Sequence, residues 1–207
     1  MVLQKIGKLC KKNGTIVIVN RPDGTQWLGT PAAMYPVYGI SLTPDSVFAL
    51  FDIGNEREGY KIIEIYEDEL MSIGYSIDDA DEDETVLMTL GFSICCSGGR
   101  ELEPLAADNM IILIDPDNLS PLKGYPSPQM FARKGPYGTP YIAVKSGLQM
   151  IALIPSEKID ENVAKCLGEV SKRADTVSGF EAFRSGKILC VDSNGEILPP
   201  EEGDDNE

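Results

Sequence analysis

Hydrophobic and polar positions along this 207-residue chain follow two rhythms, one helical and one alternating, and each predicts a different element. Leu3, Ile6 and Cys10 recur at helical spacing while Lys5, Lys8 and Lys12 fall on another face. A short amphipathic helix with a basic side is expected there, stopped by Asn13-Gly14. Thr15 to Val19 is rich in β-branched residues and is followed by the turn Arg21-Pro22-Asp23-Gly24 and then Thr25 to Leu28, the pattern of a β-hairpin. Ser46 to Phe51 reads as a helical turn or two, capped by Thr43 or Asp45, and Lys61 to Tyr66 alternates as a strand.

Beyond Glu84 the apolar runs lengthen. Thr85 to Cys96 reads as one buried strand and Met110 to Ile114 as another, with Asp115-Pro116-Asp117-Asn118 leading into a short helix that ends near Lys123-Gly124. Phe131 to Arg133, Tyr141 to Val144 and Leu148 to Ile154 form an antiparallel meander joined by glycine-containing turns. Val163, Cys166, Leu167 and Val170 predict the longest helix over 160–174, and Asn194-Gly195 predicts a hairpin between Lys187 to Val191 and Glu196 to Leu198. The fold class is therefore α+β: antiparallel sheets built from hairpins and a meander, with a few short helices, in one domain or two subdomains.

Charge refines this picture. Glu67 to Glu84 holds nine acidic residues and no basic one, so an exposed acidic loop is expected between an N-terminal α+β part, 1–66, and a C-terminal one, 85–198. The acidic tail, 199–207, is expected to be disordered. The net charge of -15 disfavours a surface that binds nucleic acid all over, and leaves DNA contact only to the local basic face of Lys5, Lys8 and Lys12. A solvated helix face is the ordinary alternative, since no aromatic side chain interleaves to stack on bases. No apolar run approaches the roughly 18 residues of a membrane span, and no leader-like segment opens the chain, so no membrane partner and a cytoplasmic location are expected.

The chain has no histidine, which excludes serine-histidine and cysteine-histidine triads and removes the commonest transition-metal ligand. Five cysteines, none in a CxxC spacing, suggest neither a zinc knuckle nor a disulfide framework; reduced thiols fit best. Cys95-Cys96-Ser97-Gly98-Gly99-Arg100 resembles a phosphate-binding cysteine loop, but the gap to Arg100 is too short, and a strand ending in a Gly-Gly turn accounts for it. Asp79 to Asp83 opens like a calcium loop yet has Glu84 where that loop needs glycine and Leu90 where it needs glutamate. Asp115 and Asp117 suit turn chemistry better than an acid-base pair. No phosphate-binding glycine motif occurs. No catalytic residue, cofactor or metal is assigned.

Trp27 and Pro31-Ala32-Ala33-Met34-Tyr35-Pro36-Val37-Tyr38-Gly39 form a proline- and aromatic-rich patch. Such a patch suits a binding loop or a buried irregular connection, and Trp27, Met34, Tyr35 and Tyr38 are its candidate partner-binding residues. The run Thr25 to Gly39 resembles a segment of uncharacterised proteins borne by phages and prophages of Gram-positive bacteria, and Tyr141 to Gly147 continues the resemblance. It implies no catalytic residue. Residues 112 to 155 resemble the last domain of DNA sliding clamps, which would give the Lys5 to Lys12 helix a DNA-lining role. The chain departs from that pattern, since only Lys123 marks the helix after Asp115 and a further helix and hairpin follow.

These observations lead to a non-catalytic accessory protein, of phage or prophage origin, that binds another protein or a replication complex. A clamp-like ring on DNA and an acidic DNA mimic acting through Glu67 to Glu84 are the alternatives; the oligomeric state stays open.

Overall fold

Helix formation at the N-terminus follows the predicted stripe. In a computed structural model, which describes residues 2–54, 57–96, 99–107, 110–157 and 189–190, helix α1 (Val2–Asn13) buries Ile6, Gly7, Leu9 and Cys10. Gly14 ends it in the left-handed region at φ 72°, its N–H bonded to the Cys10 carbonyl, as a C-terminal glycine cap requires. The chain continues through strands β1 (Thr15–Asn20), β2 (Gln26–Thr30) and β3 (Ala33–Val37), helix α2 (Pro44–Leu50), strand β4 (Lys61–Tyr66) and helix α3 (Glu67–Ser72). Strands β5 (Thr85–Thr89), β6 (Ile94–Cys96), β7 (Arg100–Ala107) and β8 (Met110–Ile114) follow. A 3-10 segment, Pro116–Leu122, then precedes β9 (Gln129–Lys134), β10 (Pro140–Ser146), β11 (Gln149–Pro155) and β12 (Leu189–Cys190).

The chain divides into two compact units, Met1–Leu87 with Asp117–Ser156, and Met88–Pro116 with Glu157–Glu207. In the first, the strands pair in the order β5-β9-β10-β11-β3-β2-β1-β4, antiparallel except for the parallel pair β1 and β4. The sheet is mixed but mostly antiparallel, and the fold class is α+β with few short helices, as the periodicity predicted. Strands β1 to β3 are buried on both faces. Val17, Val19, Trp27, Met34, Tyr141, Ala143, Met150 and Leu153 form the core of one face, closed by Leu70 of α3 and by Ile77. Helix α1 lies against β1 and β2, and Gly7 makes room for it beside Phe51, whose ring a Cβ would meet at 2.7 Å.

In the second unit β7 pairs antiparallel with β6 through residues 100–102 and with β8 through residues 103–107. Met88 and Thr89 of β5 pair with Ala106 and Leu105, and β12 runs parallel to β6. Phe92, Ile94, Leu102 and Leu113 make its core, with Leu90, Cys96 and Ile111 packed against them.

Four expectations change. The Pro31 to Gly39 patch contains β3, because Gly29 lets the chain fold back at once: a Cβ there would stand 2.0 Å from the Ala33 carbonyl oxygen. Thr85 to Cys96 is two strands, broken where Gly91 takes φ 76°, and β5 exposes Val86 and Met88 on either side of buried Leu87. Strand β7 was not expected, since its charges and Pro104 hide the alternation. The stretch from Glu67 to Glu84, expected as an exposed loop, begins as helix α3 within the first unit. Acidic side chains suit a helix's first turn, and Glu69 reaches back to the Tyr66 N–H. The predicted helix over 160–174, the Asn194-Gly195 hairpin and the acidic tail lie outside the described residues.

Candidate partner-binding site

Three of the four candidate partner-binding residues belong to the core. Trp27, Met34 and Tyr35 keep 5% exposure or less, and the alternation of β2 and β3 within a sheet covered on both faces puts them there. Tyr35 also carries a polar contact: its hydroxyl donates to the Asn118 carbonyl at 2.6 Å, and Asn118 Nδ2 donates to the Ala32 carbonyl. Their burial removes them from the surface a partner would touch.

Tyr38 is different. It lies just past the end of β3 and is 52% exposed, and Gln149 Nε2 at the start of β11 donates to its hydroxyl oxygen at 2.6 Å. Partial burial, with Tyr125 and the Asp79 carboxylate nearby, raises the phenol's pKa, so the hydroxyl keeps its proton. That O–H makes no further bond among the described residues. Leu148, beside Gln149 in the two-residue turn between β10 and β11, is 91% exposed, and Ile40 is 45% exposed. The turn holds because Gly147 takes φ 63° and the Ser146 hydroxyl donates to the Pro126 carbonyl. Sequence reasoning missed Leu148, since a lone leucine in a meander reads as core.

The basic helix face is largely engaged within the first unit. Lys5 Nζ donates to the Ser120 carbonyl at 2.9 Å, and Lys12 pairs with Asp117. Both lysines thereby fasten the 3-10 segment to α1, and Lys8 and Lys11 stay exposed. Asp117 acts as an ion-pair partner here, and Asn118 beside it is buried.

The acidic stretch is likewise turned inward at its end. Arg133 of β9 is wholly buried and is held by Glu84 at 2.9 Å and by the Asp78 carbonyl at 2.8 Å. Lys145 of β10 donates to the other Glu84 oxygen and sits over the Phe131 ring. Burial alone would raise the Glu84 pKa, but the hydrogen bonds from Lys145 and Arg133 outweigh it and hold the carboxyl below its ordinary value. Asp79 Oδ1 accepts the Met150 N–H, Asp83 pairs with Lys134, and Asp78 and Glu67 face Arg21. Sequence alone could not show this, because Arg133 and Lys145, the cations on Glu84, lie some fifty to sixty residues away in the meander, and Arg21 lies in the turn after β1.

Cys96 packs on the second core, Cys95 is half-buried and Arg100 pairs with Glu157. Burial pushes the Cys10 thiol up to about 12, and its Sγ donates to the Gly29 carbonyl. Among the described residues no three His, Cys, Asp or Glu side chains gather where they could hold a metal ion, and no helix is long and apolar enough to cross a membrane. Comparison of the chain with protein-family models, with curated proteins and with solved structures gave no match.

Proposed function

We propose that this chain is a non-catalytic accessory protein that binds another protein through the rim formed by Tyr38 and Leu148. The observation that carries the proposal is the Gln149 to Tyr38 hydrogen bond, which ties an exposed aromatic ring to the strand that follows the Gly147-Leu148 turn, whose leucine projects into solvent. Single exposed apolar residues are ordinary on a surface. An exposed tyrosine already fixed by a neighbour is less ordinary, because little side-chain entropy remains to be lost on binding. Tyrosine supplies large contact area together with a hydroxyl for a partner's acceptor. A phage or prophage setting extends the proposal on the resemblance of residues 25–39 and 141–147, and a replication complex is one assembly that an accessory protein of this kind would join.

The clamp-like and DNA-mimic alternatives draw less support from the geometry. Lys5 and Lys12 are engaged with the 3-10 segment, and Glu67, Asp78, Asp83 and Glu84 face arginines and lysines of the same unit.

The test is comparative capture from the native host with the wild-type chain and with a Tyr38→Ala, Leu148→Ser double variant. A protein retained by the wild type and lost by the equally stable variant is expected. Equal capture by both chains would overturn the assignment of this rim.

A further inference from the structure

Strands β6 and β12 place two cysteines side by side. They run parallel, with Leu189 the register partner of Ile94 and Cys190 the register partner of Cys95. Adjacent strands lie about 4.8 Å apart, so the Cα atoms of register partners fall inside the range of about 4.4 to 6.8 Å that a disulfide spans. The cysteines are 95 positions apart in sequence and follow no recognisable spacing, so only the strand pairing reveals the pair.

The neighbouring thiol does not occupy the same face. Successive side chains of a strand emerge on opposite sides. Ile94 and Cys96 both pack on the core of Phe92, Leu102 and Leu113, which puts Cys95 on the other face of β6. Cys95 is half-buried, within reach of a small reagent. Cys10, by contrast, is buried in the first unit and its thiolate is strongly disfavoured.

We propose that Cys95 and Cys190 are a reversible thiol-disulfide pair, oxidised by a low-molecular-weight disulfide of the glutathione type. In the first step the Cys95 thiolate attacks one sulfur of that disulfide, forming a mixed disulfide and expelling one small thiolate. In the second the Cys190 thiolate attacks the Cys95 sulfur, closing the protein disulfide and releasing the second small thiol. Two protein thiols are thereby oxidised and one small disulfide is reduced to two thiols. Direct register partners sit at the short end of the disulfide range, which favours a strained, readily reduced bridge over a permanent one. The bridge would tie the β12 segment covalently to β6.

The full-length chain, equilibrated in glutathione buffers from reducing to oxidising and quenched by alkylation, tests this by peptide mapping. The expected result is two fewer alkylated thiols in the oxidising buffers, a Cys95 to Cys190 crosslinked peptide in monomeric protein, and reversal by reduced glutathione. Cys96→Ser should keep that crosslink and Cys190→Ser should lose it. Because the mapping is done on the wild type, it does not depend on a variant folding. A bridge from Cys95 to Cys96 or Cys166, or full alkylation of Cys95 and Cys190 in the most oxidising buffer, would overturn the proposal.

Discussion

The guanidinium of Arg133 meets the carboxylate of Glu84 at 2.9 Å with no part of the arginine side chain exposed, and the same carboxylate takes Lys145 on its other oxygen. One anion therefore compensates two buried cations. Removing it leaves both without their main partner, which costs far more than a surface pair is worth. Glu84→Gln should lower unfolding free energy by about 3 kcal/mol, toward the low end for breaking a buried pair because Glu84 keeps slight solvent access. Urea denaturation with unchanged m-value checks this; a loss under about 1 kcal/mol would mean the pair contributes no more than a surface one.

The pH dependence follows from the direction of the Glu84 shift. A carboxyl whose folded pKa is depressed contributes stability that is present above its unfolded value and is lost as pH falls through the folded one. The stability difference between wild type and Glu84→Gln should hold constant above about pH 5 and shrink below about pH 4. Growth of the difference on acidification would contradict the assignment.

Gly29 meets the backbone of Ala33 so closely that no side chain fits. Because the obstructing atom is a carbonyl oxygen and not a flexible side chain, Gly29→Ala should cost about 3 kcal/mol and roughly 10 °C in Tm. Gly24→Ala should cost less, since nothing stands within 4 Å of its Cβ and only its φ of 84° opposes the change. Thermal melts of the two variants compare a steric penalty with a conformational one.

The 3-10 segment Pro116–Leu122 is bonded to Tyr35 of β3 and to lysines of α1, and the two kinds of attachment should differ in value. Tyr35→Phe removes a buried donor to the Asn118 carbonyl and should cost about 1.5 kcal/mol. Lys12→Ala breaks a pair whose two side chains are 65% and 58% exposed and should cost less than about 0.5 kcal/mol. Equal losses would show that this exposed pair is worth more than others of its kind.

Cys10 combines burial with a pKa of about 12, so at pH 8 only about one thiol in ten thousand is ionised. Alkylation of the native chain should leave Cys10 unmodified while Cys95 reacts, and Cys10 should become reactive at the rate of global opening. Matching rates at both cysteines would show that α1 detaches locally.

Local signals were sufficient for much of this fold because they are physical properties of short segments. The stripe of Leu3, Ile6 and Cys10, the glycine stop at 14, the Arg21 to Gly24 turn and the three strands of the meander all appear where periodicity and turn chemistry put them. Strand β7 escaped because pairing with β6 and β8, and not its own alternation, makes it a strand. Trp27, Met34 and Tyr35 looked like a binding patch because composition cannot distinguish an aromatic in a core from one on a surface.

What the chain by itself determined is the α+β class, the position of the first hairpin and of the meander, and the concentration of negative charge between residues 67 and 84, since each depends on neighbours within a few positions. Tertiary structure alone decided which charges are compensated and which apolar side chains remain outside. Glu84 faces cations from residues 133 and 145, Tyr38 is fastened by Gln149, and Cys95 lies in register with Cys190. Those relationships arise from strand order, and strand order is set by how two-sided apolar segments bury one another across long stretches of chain, which no local window contains.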